Sequence, residues 1–95
     1  MLNDIENSLI EILIDLNINF EKEELNQPTI DTNLYGPNGI LDSIELVMLV
    51  AEIESFISDK YEVDIVLADE KAMSQKISPF RSVRSLAAYI DSLLN

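Results

Sequence analysis

The spacing of apolar residues between positions 43 and 58 is the feature that most constrains how this chain folds. Apolar residues recur there every three or four positions, which is the period of an α-helix with one buried face. The residues expected on the buried face are Val47, Val50 and Ile57, together with Ile44, Leu46 and Ile53. The opposite stripe carries Glu45, Glu52, Ser55 and Asp59, with Met48 between two of the glutamates.

Two further segments have the same helical period. Residues 3–16 predict a first amphipathic helix, with Asn3 or Asp4 as its N-cap. Its buried face comprises Ile5, Leu9, Ile12, Leu13 and Leu16. A last helix is predicted from a Ser82 cap to about Leu94. Its inward residues are Val83, Leu86, Ala87, Ile90 and Leu94.

The segments between these helices lack a sustained period. Residues 17–41 contain Pro28, Pro37 and both glycines of the chain, which predicts a long loop. Its expected buried anchors are Ile30, Leu34, Ile40 and Leu41. Residues 61–67 alternate like a strand, but no partner strand is present, so we predict a loop. Residues 69–75 are predicted to form a short helix.

The predicted fold is therefore all-α, with residues 1–95 forming a single domain. Three longer helices and one short helix, with a long loop between the first and second helices, are typical of a small four-helix bundle. About 95 residues provide a single modest core.

The residue types present exclude several kinds of chemistry. The chain contains no cysteine and no histidine, so thiolate chemistry, Ser-His or Cys-His pairs and the commonest zinc ligands are absent. Residues 31–42 resemble the start of a calcium-binding EF-hand loop, but Tyr35 occupies a ligand position and Asp42 replaces the final glutamate. We therefore predict neither an enzyme nor a metal site.

The charge of the chain is strongly negative and unevenly distributed. The formal net charge is −12, and residues 1–70 hold 17 of the 18 acidic residues but only Lys22 and Lys60 as bases. Such a field repels nucleic acid and anionic lipid and favours basic protein partners. There is no apolar run of membrane-spanning length and no signal-peptide pattern. We expect a cytoplasmic monomer that does not insert into membranes.

The pair Asp42-Ser43 stands where the second helix is predicted to begin, and two interpretations remain open. In the first, Asp42 and Glu45 form a capping box and Ser43 is a bystander. In the second, the unpaired amides and positive dipole of the helix N-terminus support a phosphodiester on the Ser43 hydroxyl. No histidine is available to activate Ser43 as a hydrolytic nucleophile, so another protein would have to modify it.

Several segments taken together resemble the acyl carrier protein family. They are Asp31-Thr-Asn-Leu34, Gly39-Ile-Leu-Asp-Ser43-Ile, Leu46-Val-Met-Leu-Val50, Glu52-Ile-Glu54 and Phe80-Arg-Ser82-Val83. The resemblance covers most of the chain and is closest to free-standing carriers of specialised pathways. Met48 lies where many family members have an acidic residue, and the segment between Ile65 and Ser82 is longer than in the common fatty-acid carriers.

This resemblance implies that Ser43 is the attachment point of 4′-phosphopantetheine, transferred covalently from coenzyme A. The sulfur of that group then carries acyl, aminoacyl or polyketide intermediates as thioesters, as in fatty acid, polyketide or nonribosomal peptide biosynthesis. Asp42 is implied to help a phosphopantetheinyl transferase to dock. The partners otherwise implied are basic-surfaced enzymes that process acyl, aminoacyl or ketide groups.

Other site residues follow from the same resemblance. The implied partner-docking residues are Glu45, Met48, Glu52 and Glu54. The candidates for the lining of an acyl-binding groove are Val47, Val50, Ile65 and Met73. A rival hypothesis from another class is an acidic helical interaction module, such as an inhibitor or a mimic of a polyanion, that carries no prosthetic group.

Overall fold

A computed structural model describes residues 2–37, 39–67 and 79–94 of the chain. It contains the α-helices α1 (Leu2–Phe20), α2 (Ser43–Tyr61) and α3 (Val83–Leu94), with short 3-10 turns at Glu23–Leu25 and Pro79–Arg81. Within these ranges there is no β-strand, and one isolated antiparallel bridge joins Asn33 to Ser82. The prediction of an all-helical fold is confirmed. The predicted helix over residues 69–75 lies outside the described residues.

Helix α1 begins earlier and ends later than predicted. Asn3 and Asp4 lie inside its first turn, so neither is the N-cap. An acidic residue in the first turn still interacts favourably with the helix dipole without capping the helix. The helix continues past residue 16 and ends where Glu21 adopts a positive φ of 56°. The predicted buried face is confirmed for Ile5, Leu9 and the two later leucines, and Ile12 packs against the core while partly buried.

Helix α2 is rotated relative to the prediction. Its buried residues are Leu46, Leu49, Val50, Ile53 and Ile57. Val47 and Ile44, predicted to face the core, are instead 66% and 72% exposed. The prediction is confirmed for Leu46, Val50, Ile53 and Ile57, and Leu49 joins them at the i, i+3, i+4, i+7 spacing.

Helix α3 agrees closely with its predicted extent. The Ser82 hydroxyl oxygen accepts a hydrogen bond from the Ser85 amide at 3.2 Å, which is the contact expected of an N-cap. Val83, Leu86, Ala87 and Ile90 are buried, and Leu94 is partly buried against the core.

The core is shared by all three helices and by the segments between them. Helix α1 packs against both α2 and α3. Four connecting residues are also fully or almost fully buried, namely Leu25, Leu34, Leu67 and Phe80. Residues 62–67 form no regular structure, as predicted.

No helix in the described part of the chain is both long and apolar enough to cross a membrane.

The segment between α1 and α2 is held in place by backbone hydrogen bonds. The Leu34 amide donates to the Arg81 carbonyl at 2.8 Å, and the Arg84 amide donates to the Ile30 carbonyl at 2.8 Å. On the other side, the Leu41 amide donates to the Leu34 carbonyl at 2.8 Å. Leu34 and Leu41 are buried, as predicted, whereas Ile30 and Ile40 are only partly buried. Described residues of the long loop are therefore hydrogen-bonded to the start of α3, and Leu34 is hydrogen-bonded to Leu41 just before α2.

Asn17 fixes the turn that follows α1. Its side-chain amide donates to the Lys22 carbonyl at 2.9 Å and to the Asn26 side-chain oxygen at 3.1 Å. Its own side-chain oxygen accepts from the Lys22 amide at 2.8 Å. Asn17 is the one buried polar residue among the described side chains, and these three bonds satisfy it.

We expect Asn17→Ala to lower the free energy of unfolding by roughly 2–3 kcal/mol, because the Lys22 amide and two other polar groups lose their partner. Asn7→Ala is the matched control, since Asn7 is exposed on the same helix and alanine has a higher helix propensity. Urea denaturation of both variants measures the difference. Equal stabilities would show that water replaces the Asn17 contacts without cost.

Candidate functional site

The start of α2 is organised around Asp42 rather than Ser43. The Asp42 carboxylate accepts from the Glu45 amide at 2.8 Å, and the Asp42 amide donates to the Glu45 carboxylate at 2.9 Å. This reciprocal pair is the capping box predicted from the sequence. Because Asp42 supplies the cap, the helix does not depend on the neighbouring hydroxyl.

Ser43 is the first residue of α2, and its side chain is exposed. Among the described residues, its hydroxyl has no hydrogen-bond partner. The backbone amides of Ser43 and Ile44 belong to the first turn, where an α-helix has no internal acceptors to offer. An accessible hydroxyl thus lies beside unpaired N–H groups at the positive end of a 19-residue helix, which suits a phosphate ester.

A cation is also held close to this helix start. The Lys22 ammonium lies 3.1 Å from a Glu45 carboxylate oxygen, and the two side chains are 27% and 16% exposed. This contact joins the turn after α1 to the first turn of α2. The sequence offered no local signal for it, because Lys22 and Glu45 lie on opposite sides of the long loop.

Glu45 and Glu54, two of the implied docking residues, make contacts within the fold. Glu45 is engaged by the capping box and by Lys22, which leaves little of its side chain exposed. A Glu54 carboxylate oxygen accepts from the Leu67 amide at 2.8 Å and so ties the segment after α2 back onto the helix. Both carboxylates therefore help to hold the fold together, and their role in docking stays a prediction.

The exposed residues of α2 form a surface that is more apolar than expected. Ile44, Val47 and Met48 are all exposed, and Ala51 continues the same stripe at the i, i+3, i+4, i+7 spacing. We call these four residues the apolar stripe. Met48 is 42% exposed, as its position among the glutamates predicted. Glu52 is exposed next to the stripe, so apolar and acidic groups lie side by side.

Three of the four candidate groove residues lie in the described structure. Val50 is buried and Ile65 is partly buried against the core, whereas Val47 points to solvent because of the rotation of α2. Met73 lies outside the described residues.

Two surface clefts lie elsewhere, one of about 250 Å³ beside Ile14 and Ile18, and one of about 220 Å³ beside Tyr35 and Arg81.

Comparisons of the chain with protein-family models, curated proteins and solved structures gave no match. The features that bear on function are therefore the geometry around Ser43 and the sequence pattern that surrounds it.

The two residues at the helix start should differ in their effect on stability. We expect Asp42→Ala to lower the free energy of unfolding by about 1 kcal/mol, because it removes the cap. Ser43→Ala should change it by less than about 0.5 kcal/mol, since the hydroxyl makes no contact within the described structure. Thermal or urea unfolding of the two variants tests this. A larger loss for Ser43→Ala than for Asp42→Ala would overturn the assignment of the cap.

Proposed function

We propose that this chain is a carrier protein that becomes active when 4′-phosphopantetheine is attached to Ser43. The observation that carries the proposal is the exposed, uncommitted Ser43 hydroxyl at a helix start that Asp42 already caps. The Asp-Ser-Ile sequence, the preceding loop and the acidic character of the chain support it. In this proposal the chain is a cytoplasmic, non-catalytic four-helix bundle whose fourth, short helix lies between α2 and α3.

The residues at the helix start fit the attached group. In the transfer, the Ser43 oxygen forms a bond to the β-phosphorus of coenzyme A, the bond from that phosphorus to the departing 3′,5′-ADP breaks, and the hydroxyl proton goes to a base of the transferase. The amides of Ser43 and Ile44 then provide donors for the phosphodiester. When attached, the arm supplies a terminal thiol that carries acyl groups as thioesters.

We propose that partner enzymes recognise the apolar stripe of α2 together with Glu52. Steering by an exposed carboxylate raises the association rate of a basic partner, while buried apolar contact supplies affinity at roughly 25 cal/mol per Å². Ile44 and Val47 lie within a turn or so of Ser43, so a partner that covers them also reaches the modified residue. The cargo would be an acyl, aminoacyl or ketide group processed by those partners.

Modification of Ser43 tests the proposal directly. Incubation of the purified chain with coenzyme A, magnesium and a broad-specificity phosphopantetheinyl transferase should add the mass of one phosphopantetheine. Ser43→Ala should abolish the gain, whereas Ser55→Ala, which removes another exposed serine of α2, should retain it. No gain in the wild-type chain would favour the rival hypothesis of an acidic interaction module without a prosthetic group.

The docking surface can be tested by the salt dependence of the same reaction. We expect Glu52→Lys to slow modification several-fold at low salt and less at 0.15 M, because exposed charges are screened over about 8 Å at that ionic strength. Met48→Ala should slow it by a factor that changes little with salt, since it removes apolar contact.

Glu11→Lys provides the control for charge alone, because Glu11 is exposed on α1 and the substitution alters net charge equally. Initial rates by mass spectrometry at two salt concentrations separate the three variants. If Glu11→Lys and Glu52→Lys slow the reaction equally, net charge and not the α2 surface governs recognition.

A further inference from the structure

Arg81 differs from the other described cations in having no ion-pair or aromatic partner among the described residues. Arg84 lies 3.0 Å from an Asp31 carboxylate oxygen, and Lys22 is paired with Glu45. Lys60 lies 5.5 Å from the centres of two aromatic rings. Arg81 is exposed and has no ion pair or side-chain hydrogen bond with any other described residue. In a chain with a net charge of −12, a guanidinium left without a carboxylate partner is available for an external anion.

Arg81 lines a cleft of about 220 Å³ with Asn33, Tyr35, Pro37 and Gly39. Sites for whole drug-sized ligands are generally about 300–1,000 Å³, so this cleft suits a single functional group on a short chain. Arginine presents paired N–H groups that match the two oxygens of a carboxylate. Arg81 is the charged residue of this lining, and a carboxylate is the group that its guanidinium matches best.

The backbone around the cleft is fixed before any ligand binds. The Leu34 amide bonds to the Arg81 carbonyl, and the Ile40 amide bonds to the Asn33 carbonyl at 3.2 Å. A side chain at Gly39 would place its Cβ 2.5 Å from the Tyr35 Cα, so this close approach requires glycine. A preformed cleft loses little conformational freedom when it binds its ligand.

The cleft lies close to Ser43 along the chain. Four residue steps separate Gly39 from Ser43, which limits their separation to about 14 Å even for a fully extended backbone. An extended phosphopantetheine arm is longer than this. Exposed ion pairs are individually weak, but a carboxylate tethered to Ser43 has an effective concentration on the order of millimolar. Tethering therefore raises the occupancy of the site above that reached by a free carboxylate at a lower concentration.

We propose that this cleft binds the free carboxylate of an acyl cargo carried by the arm on Ser43, so that the chain prefers acyl groups that end in a second carboxylate. This inference rests on the proposed carrier function and adds a class of cargo to it. Arg81 is the binding residue for the carboxylate, and Asn33, Tyr35, Pro37 and Gly39 supply the rest of the cleft.

The test compares matched cargoes on the intact chain by NMR. A broad-specificity transferase loads the succinyl, glutaryl, butyryl and pentanoyl forms from the corresponding coenzyme A thioesters, and mass spectrometry verifies each product. We expect the Arg81 Nε–Hε resonance and the Gly39 amide resonance to shift in the succinyl or glutaryl form, relative to the butyryl or pentanoyl form of equal carbon number. The shifts should shrink as salt is raised.

Two variants and one unloaded form complete the test. Arg81→Gln should abolish the carboxylate-dependent shift of Gly39, whereas Arg84→Gln, which removes an equal charge from a paired arginine, should retain it. The chain bearing the arm without cargo should show no such shift.

Equal shifts with and without the second carboxylate, or persistence in Arg81→Gln, would overturn the inference. A shift of the same size in the cargo-free form would also overturn it and would assign the cleft to the phosphodiester. Failure of the chain to accept the arm at all would refute the carrier function and this inference together, whereas loading without carboxylate-dependent shifts would refute this inference alone.

Discussion

The backbone pairing of Leu34 on both of its sides is the constraint on which the rest of the site depends. Its amide bonds to Arg81 at the start of α3, and its carbonyl accepts from Leu41, two residues before Ser43. Its side chain is almost fully buried. The two backbone hydrogen bonds of Leu34 therefore lie beside the core, where water competes less for them. Helix α3 thereby fixes the loop, and the loop fixes the start of α2. The described residues on both sides of Leu34 are thus connected by backbone hydrogen bonds.

Burial in the core also determines which residues α2 offers to other molecules. Once Leu46, Leu49 and Ile53 turn inward, the helical period leaves Ile44, Val47 and Met48 outside. These apolar side chains are exposed because α2 has more apolar residues than its buried face can hold. A single exposed apolar residue is ordinary, but a stripe that begins beside Ser43 forms a contiguous surface. The same rotation therefore accounts for both the stability of the core and the proposed docking surface.

The sequence predicted the features that depend on local spacing, and it missed those that depend on distant contacts. The three helices, the Asp42 capping box and the Ser82 cap are encoded by neighbouring residues. Local sequence patterns were therefore sufficient to predict them. The partners of Glu45 and Glu54 were not predicted, because Lys22 and the Leu67 amide reach them only after the chain has folded back on itself. The rotation of α2 was missed for a related reason, since both possible stripes are apolar and only packing distinguishes them.

The two serines at helix starts show why Ser43 is suited to modification and Ser82 is not. The Ser82 hydroxyl accepts from the Ser85 amide and donates to the Ser85 hydroxyl oxygen, so a group attached there would break the cap of α3. At the start of α2 the carboxylate of Asp42 performs that role. The proposed phosphodiester on Ser43 would therefore cost no hydrogen bond of the described structure, and the amides of the first turn would be available to donate to it. Asp42 caps the helix, and the adjacent Ser43 hydroxyl makes no contact in the described structure. The proposed modification is therefore compatible with the fold.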